Sequence, residues 1–278
     1  MRIISVDTVV ETVAELCINA CCELGDDVYQ KILSCQENEK SPLGKNILAQ
    51  LQENADIAKA DAVPICQDCG LAVVFAEVGQ EVYIDGNFEE AVNNGVIKGY
   101  AEGFLRKSTC TPLERKNLGN NAPAILHTRL VPGSEIKLTV APKGGGSENM
   151  SALKMMIPAA GRQGIIDFVK ETVAKAGPNP CPPIVVGVGI GGNFEVAPLL
   201  AKKALLHEMD DINPDPVFAQ MEQDILKEIN SLGIGPGGLG GSTTAFSVHI
   251  EAMPCHIASL PCAVNINCHA ARHKTKVI

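Results

Sequence analysis

Residues Pro64-Ile65-Cys66-Gln67-Asp68-Cys69-Gly70-Leu71-Ala72-Val73-Val74-Phe75 separate two kinds of sequence. The chain before them has helical periodicity, and the apolar run that starts at Leu71 is typical of a β-strand. Between the two lies a turn that holds a cysteine, an amide and a carboxylate. Because a thiolate is a good ligand for soft metals, this turn has the composition of a binding site.

The segment before this turn is predicted to be helical. Apolar residues from Val6 to Ala20 recur at helical spacing, with Ser5 or Asp7 as the N-cap and Gly25 as the stop. Residues 26–37 and 42–60 predict two further helices, and the second of these begins with a proline. The three helices make a helical flank over about residues 1–62.

The remaining chain, about residues 63–278, predicts an α/β body. Strands are expected at 71–78, 81–84, 125–130, 135–141, 184–190, 245–252 and 262–267, and helices at 88–107, 163–176, 194–209 and 217–232. The strands at 125–130 and 135–141 flank the turn Val131-Pro132-Gly133-Ser134 and are expected to form a pair. The fold class is therefore mixed α/β, with small mixed β-sheets covered by helices. We expect one domain over residues 1–278, as a single body or as two lobes that meet near residue 177.

Composition limits the classes of function. The chain has 278 residues, of which 46% are hydrophobic and 20% charged, so it can bury a large core. A net charge of −9 argues against a nucleic-acid partner, because nucleic-acid affinity comes largely from Lys and Arg. No apolar run approaches the ~20 residues of a membrane span, and the start resembles no signal peptide. We therefore expect a cytoplasmic protein with no membrane partner.

Two glycine-rich stretches are candidate ligand sites. Gly187-Val188-Gly189-Ile190-Gly191-Gly192 matches the dinucleotide fingerprint, but residues 217–232 predict a helix where the fingerprint needs a second parallel strand. We expect these glycines to pack a helix against a sheet, with a dinucleotide-dependent oxidoreductase as the rival interpretation. Lys143-Gly144-Gly145-Gly146-Ser147-Glu148-Asn149 follows a strand. Its glycine amides can approach a ligand closely, although glycine runs also occur in plain loops.

The eleven cysteines are too sparse for a disulfide scaffold, so core thiols, metal ligands and nucleophiles are the alternatives. Only Cys66 and Cys69 have the spacing of a zinc knuckle, which makes structural zinc a weak interpretation. A thioredoxin-like site is also weak, because this motif precedes a strand. Cys66, Cys181 and Cys268 lie in turns, and three such thiolates can hold a 4Fe-4S cluster with one open iron that acts as a Lewis acid. Four protein ligands would instead indicate an electron carrier or an iron sensor.

Several long runs resemble the class I fumarase and L(+)-tartrate dehydratase family. They are Pro64-Ile65-Cys66-Gln67-Asp68, Ala141-Pro142-Lys143-Gly144-Gly145-Gly146-Ser147-Glu148-Asn149-Met150-Ser151-Ala152-Leu153-Lys154-Met155, Gly177-Pro178-Asn179-Pro180-Cys181-Pro182-Pro183, Gly187-Val188-Gly189-Ile190-Gly191-Gly192-Asn193-Phe194-Glu195 and Ala263-Val264-Asn265-Ile266-Asn267-Cys268-His269. The resemblance covers nearly the whole chain. It implies an iron-sulfur hydro-lyase that interconverts (S)-malate and fumarate, with conversion of L(+)-tartrate to oxaloacetate as the alternative.

The resemblance also implies site residues. Cys66, Cys181 and Cys268 match the ligands of the family's 4Fe-4S cluster. The positions that match those around the bound dicarboxylate are Gln67, Asp68, Arg106 and His256. Asp68 and His256 are expected to be catalytic, Asp68 by passing a proton to the departing hydroxyl and His256 by hydrogen bonding to a carboxylate or the leaving water.

Arg106 has two interpretations. The predicted helix at 88–107 would place it near a C-terminal end, where the helix dipole favours any cation. The resemblance implies a second role, in which the guanidinium holds a substrate carboxylate in a bidentate manner. We expect Gln67 and Gly145 to contact the same substrate.

Four positions depart from the family pattern. Cys69 and Cys255 stand where Thr is usual, Asn120 where Asp is usual and Ser242 where Arg is usual. We expect the changes at Asn120 and Ser242 to affect the choice among diacids.

The resemblance implies a partner. In the single-chain relatives a second domain follows the matching region and supplies the proton-abstracting base, whereas this sequence ends at Ile278. We therefore expect a separately encoded beta subunit of the C-terminal-domain type, in an α2β2 assembly.

Overall fold

The computed structural model describes residues 2–278. Its strands are β1 Arg2–Ser5, β2 Leu71–Gly79, β3 Val82–Asp85, β4 Ile125–Val131, β5 Ile136–Lys143, β6 Ala152–Met156, β7 Ile184–Gly192, β8 Ala245–Cys255, β9 Leu260–Asn267 and β10 Lys274–Val277. Its α-helices are α1 Val6–Cys22, α2 Asp26–Asn38, α3 Pro42–Asp61, α4 Phe88–Glu102, α5 Gly145–Glu148, α6 Gly161–Ala176, α7 Val196–Ala204 and α8 Pro216–Asn230. The predicted mixed α/β class is confirmed.

The helical start is confirmed. Ser5 caps α1, since its hydroxyl accepts the N–H of Thr8 at 3.2 Å. The prediction for α4 is wrong at its end, because the helix stops at Glu102 with Gly103 as its C-cap. Arg106 therefore lies outside the helix, and its interpretation as a helix-end cation does not hold.

The chain forms two compact units. Unit 1 consists of Met1–Gly25, Asn54–Gly145 and Arg272–Ile278, and unit 2 consists of Asp26–Glu53 and Gly146–Ala271. Each unit is built from segments that are distant in the sequence.

The main sheet of unit 1 has the strand order β10-β5-β2-β4. The predicted pairing of β4 with β5 is wrong, because β2 lies between them, parallel to β4 and antiparallel to β5. Alternate residues of β2, such as Val74 and Ala76, pack with β5 against α1 and α4 in one apolar core. A separate parallel pair joins β1 to β3.

The sheet of unit 2 has the order β6-β9-β7-β8, with helices on both faces. Ile184, Val186 and Val188 of β7 share an apolar core with α6 and α8. The opposite face of β7 packs against α7. The segment where the fingerprint needs its second strand is helix α8, as predicted, and β8, which follows α8, runs parallel to β7. The connection contains two helices, α7 and α8, rather than one.

Three short strands were not predicted: β1, β6 and β10. Each has four or five residues, too few to give a clear alternating pattern. Among residues 2–278, no helix combines the length and the apolar character needed to cross a bilayer.

Candidate functional site

The turn that carries Cys66, Gln67 and Asp68 lies in unit 1, directly before β2. Cys66 and Asp68 are half-buried, and Gln67 is exposed. The Cys66 thiol lies 3.5 Å from Gln67 Oε1 and accepts the N–H of Asp68 at 3.4 Å. The thiol, the amide and the carboxylate therefore share one small surface.

Backbone amides fix the carboxylate of Asp68. Oδ1 accepts the N–H of Gly70 at 2.9 Å, and Oδ2 accepts the N–H of Gly145 at 2.8 Å. Gly70 has φ +71, and a Cβ there would lie 2.6 Å from the backbone of Lys143. The glycine thus permits the close approach of two segments that both hold the carboxylate. The sequence predicted Asp68 and Gly145 as site residues, and the structure brings them together.

Cys69 stabilises the Cys66 turn through hydrogen bonds. It is buried, its thiol donates to Cys66 O at 3.7 Å, and it accepts the N–H of Arg106 at 3.2 Å. The Cys21 thiol, the Arg106 amide and the Arg272 guanidinium lower the pKa of Cys69 below its ordinary value, although burial opposes them. Cys69 thereby ties the start of the Arg106 loop to the Cys66 turn.

Arg106 is exposed on a loop whose fold depends on Asn121. Asn121 is fully buried, and its Oδ1 accepts the N–H groups of Ser108 and Thr109 at 2.6 and 3.2 Å. Its Nδ2 donates to Gly70 O at 3.1 Å. The amide of Asn121 therefore joins the Arg106 loop to the end of the Cys66 turn.

Cys181 and Cys268 lie together at one end of the sheet in unit 2. Cys181 precedes the start of β7, and Cys268 follows the end of β9. The two strands are antiparallel, and Val185 of β7 pairs with Asn267 of β9. The N–H of His269 donates to Cys181 O at 3.2 Å. Cys181 is exposed and has φ +55, a conformation that few non-glycine residues adopt and that Ala62, Phe104, Arg115 and Asn121 share in this chain.

His256 lies at the opposite end of this sheet. It follows β8, whose Cys255 is paired with Gly192 at the far end of β7. At about 3.3 Å per residue, the seven steps from Val185 to Gly192 span about 23 Å. The structure therefore does not bring His256 to Cys181 and Cys268 within unit 2.

The departures from the family pattern have local structural partners. Ser242 donates its N–H and its hydroxyl to Glu39 at 2.8 and 2.9 Å. The side chain of Asn120 accepts the N–H of Ala122 at 3.1 Å, and the Cys255 thiol donates to Ser259 O at 3.2 Å. Ser242 thus belongs to a buried carboxylate contact in unit 2.

The glycines of β7 serve helix packing. A Cβ on Gly187 would lie 2.1 Å from Ala201 O, and one on Gly189 would lie 2.0 Å from Ala197 O. The backbone of α7 therefore rests directly on β7. This contact supports the packing interpretation, because it leaves no space for a pyrophosphate at these two positions.

Three residues near the Cys66 turn were not predicted from the sequence: Tyr100, Asn121 and Arg272. The Tyr100 hydroxyl donates to Cys69 O at 2.7 Å, and Arg272 donates to Asp68 O. All three side chains bind backbone carbonyl groups of residues 68–70. Since every residue carries a backbone carbonyl, no sequence motif identifies the side chains that bind one.

The thiols can be tested against the chemistry of a cluster. Within residues 2–278, no three His, Cys, Asp or Glu side chains are grouped to hold a single metal ion. Cluster thiolates bind separate irons, so they do not have to form such a tight group. Cys66, Cys181 and Cys268 form no disulfide and are not fully buried, a property that they share with Cys35, Cys110 and Cys255, whereas Cys17, Cys21, Cys22, Cys69 and Cys262 are buried. The donor chemistry of the three residues is compatible with a cluster.

A mixed α/β chain with accessible thiols on turns, one of them two residues from a fixed carboxylate, carries donors that suit a metal or a cluster. The family model "Fumarate hydratase (Fumerase)" matches residues 10–277. A protein of Methanocaldococcus jannaschii named "Putative L(+)-tartrate dehydratase subunit alpha" is 43% identical over 275 residues, which cover 96% of each chain. The L(+)-tartrate dehydratase subunit alpha of Escherichia coli O157:H7 is 30% identical, over 99% of this chain and 92% of that protein.

The chain therefore belongs to the fumarate hydratase family. Like that family, it is a lyase of the hydro-lyase type that acts on dicarboxylates.

Proposed function

We propose that this chain is the alpha subunit of a 4Fe-4S-dependent hydro-lyase that interconverts (S)-malate and fumarate. The observation that carries the proposal is the Cys66 turn, where a half-buried thiol adjoins a carboxylate fixed by the amides of Gly70 and Gly145. A fixed carboxylate beside a cluster ligand can exchange a proton with a hydroxyl bound there.

Cys66, Cys181 and Cys268 would hold the cluster. The joint placement of Cys181 and Cys268 and the family membership support this assignment. When bound, a cluster with three thiolate ligands supplies an open iron that polarises a hydroxyl or a carboxylate oxygen.

The residues of unit 1 would bind and orient the substrate. Arg106 is exposed and carries a planar guanidinium that can hold one carboxylate with two hydrogen bonds. The side-chain amide of Gln67 can donate to the remaining oxygens, whereas the single N–H of Gly145 already donates to Asp68 and leaves Gly145 only a contact through its Cα. Asp68 would carry the proton to and from the hydroxyl, because both its oxygens are already oriented by backbone donors.

His256 can contact such a substrate only from another copy of the chain. A substrate beside Cys181 and Cys268 is about 23 Å from the His256 end of the same sheet, by strand length. His256 is exposed, and its Nδ1 accepts the N–H of Ala258 at 3.1 Å. This leaves Nε2 as the donor in the neutral ring, which is the group that a carboxylate needs.

A separate beta subunit would complete the site, in an α2β2 assembly. The relatives that match almost end to end are named alpha subunits, which supports the partner. Elimination also needs a base about 3 Å from the C–H bond, on the side opposite the departing hydroxyl. We assign that base to the beta subunit.

L(+)-tartrate is a second candidate substrate. The relatives at 43% and 30% identity carry the name L(+)-tartrate dehydratase, and this is the observation that favours it. Both candidates are 2-hydroxy dicarboxylates, so the same carboxylate contacts serve either one.

Anaerobic reconstitution tests the proposal. The chain is loaded with iron and sulfide, examined by EPR, and assayed with fumarate, (S)-malate and L(+)-tartrate, alone and with the beta subunit. We expect a 3Fe-4S signal after mild oxidation, no turnover by the chain alone, and turnover of one diacid in the complex. Fast turnover by the chain alone would refute the assignment of the base, and a stable cluster with four Cys ligands would favour an electron carrier.

A further inference from the structure

The glycine turn beside Asp68 lacks side chains that could fix its shape. Gly144, Gly145 and Gly146 follow one another, and glycine loses more conformational freedom on folding than any other residue. Yet the N–H of Gly145 must stay in place to hold Asp68 Oδ2 at 2.8 Å. The turn therefore needs contacts from residues that follow it.

Glu148 supplies these contacts. It is the last residue of the single-turn helix α5, which begins at Gly145. Lys202 Nζ on α7 lies 2.7 and 2.9 Å from its two carboxylate oxygens, and Asn265 Nδ2 on β9 donates to Oε2 at 3.1 Å. The carboxylate is thus held by a helix and by a strand of unit 2.

Ser151 extends the network. Its hydroxyl accepts Asn265 Nδ2 at 2.9 Å and the N–H of Ile266 at 3.1 Å, and its own N–H donates to Glu148 O. Asn265 lies on β9, three residues before Cys268, which follows the end of the strand. The network therefore joins the end of the glycine turn to the strand that leads to Cys268.

The network is better suited to positioning than to stability. The Lys202 side chain is 19% exposed and that of Glu148 is 40% exposed, so water screens part of the attraction. Its geometry is nevertheless specific, because both carboxylate oxygens of Glu148 and the Nδ2 of Asn265 have defined partners. A specific arrangement that contributes little to stability indicates that the network holds the shape of the glycine turn.

We propose that Lys202, Glu148 and Asn265 are positioning residues, which hold the glycine turn so that the Gly145 N–H keeps the Asp68 carboxylate oriented for the reaction. The second part of this inference rests on the proposed function of Asp68. The first part, that the network holds the turn, stands on the contacts alone.

The test uses Glu148→Gln and Lys202→Met, with Lys202→Arg as the conservative variant. Hydrogen exchange of the full-length chain, read by mass spectrometry over residues 143–150, reports how firmly the turn is held. We expect the first two variants to exchange about tenfold faster there, and Lys202→Arg to exchange at the wild-type rate because a guanidinium can also bind both oxygens. Lys175→Met is the matched control, since Lys175 pairs with Glu171 at 2.8 Å on the exposed surface of α6.

The same variants are assayed in the complex with the beta subunit. For Glu148→Gln and Lys202→Met we expect kcat to fall about tenfold with KM changed less than twofold, because the network orients a reacting group rather than binding substrate. Lys202→Arg should keep the wild-type kcat. Unchanged exchange in Glu148→Gln and Lys202→Met would overturn the inference. Faster exchange with normal kcat would overturn the role in the reaction. If the wild-type complex acts on no diacid, the proposed function fails, and the exchange result still decides whether the network holds the turn.

Discussion

Replacing Glu39 with Gln should destabilise unit 2 strongly. Glu39 lies between α2 and α3 and is only 2% exposed. Oε1 accepts the N–H groups of Lys40, Ser41 and Ser242 at 2.8–2.9 Å and the Ser242 hydroxyl at 2.9 Å, and Oε2 accepts the N–H of Thr243 at 2.8 Å. An amide at this position would replace one acceptor oxygen with a donor that faces these donors.

The pKa of Glu39 gives the magnitude. Burial alone would raise the pKa, but the hydrogen bonds from Ser242, Ser41 and Thr243 outweigh it and lower the pKa from 4.5 to about 2. At about 1.4 kcal/mol per pKa unit, the ionised form contributes about 3 kcal/mol to folding. Because the folded pKa is below the unfolded one, this contribution is complete above pH 4.5 and is lost as the pH falls toward 2. At pH 7 we expect Glu39→Gln to lower the Tm by roughly 6–12 °C.

Urea unfolding of the wild type and of Glu39→Gln from pH 7 down to pH 3 measures this effect. The difference in free energy of unfolding should be constant between pH 6 and pH 7 and should shrink below pH 4.5. Glu37→Gln is the matched control, because Glu37 is exposed on the last turn of α2 and should change stability by less than about 0.5 kcal/mol. A Glu39→Gln protein as stable as the control, or a difference that does not depend on pH, would refute the reasoning.

Further predictions concern the site and the sheet of unit 2. Arg106→Lys keeps the charge but loses the planar fork, so kcat/KM of the complex should fall about a hundredfold with the cluster intact; unchanged kinetics would exclude a bidentate carboxylate contact. Cys268→Ser should abolish the visible absorption of the reconstituted cluster, whereas Cys255→Ser should keep it; a full cluster in Cys268→Ser would break the ligand assignment. Co-expressed Cys268→Ser and His256→Ala chains should form mixed dimers that recover up to about a quarter of wild-type activity if His256 acts on a second copy; no recovery would contradict that arrangement. Gly189→Ala should cost about 3 kcal/mol or more, because its Cβ would lie 2.0 Å from Ala197 O; normal stability in chemical unfolding would show that α7 can shift without cost.

Much of the fold was predictable because its long elements have clear periodicity. The apolar repeat of α1 and the buried run of β7 were each enough to place an element, and the structure identifies Ser5, one of the two cap candidates, as the N-cap of α1. Pairing was harder. β4 and β5 are neighbours in the sequence with a turn between them, and nothing local reveals that β2 is inserted between them.

The end of α4 shows how a local signal can be outweighed. Residues 103–107 continue an apolar and basic pattern that suits a helix, but Gly103 ends the helix at Glu102. The cause is tertiary: the N–H of Arg106 donates to the buried Cys69 thiol, and Asn121 binds the N–H groups that follow. The contacts that keep Arg106 outside the helix come from residues that are distant in the sequence.

The carboxylates Asp68 and Glu39 show why the contacts that fix a side chain were not predictable from the sequence. Asp68 is held by the N–H groups of Gly70 and Gly145, and Glu39 by four backbone N–H groups and one hydroxyl. Every residue except proline carries an N–H, so residue type does not reveal which amides converge on a carboxylate. A motif can therefore predict an acid as a site residue, as it does for Asp68. What fixes that acid is set by the paths of two backbone segments, and these paths depend on the whole fold of the unit.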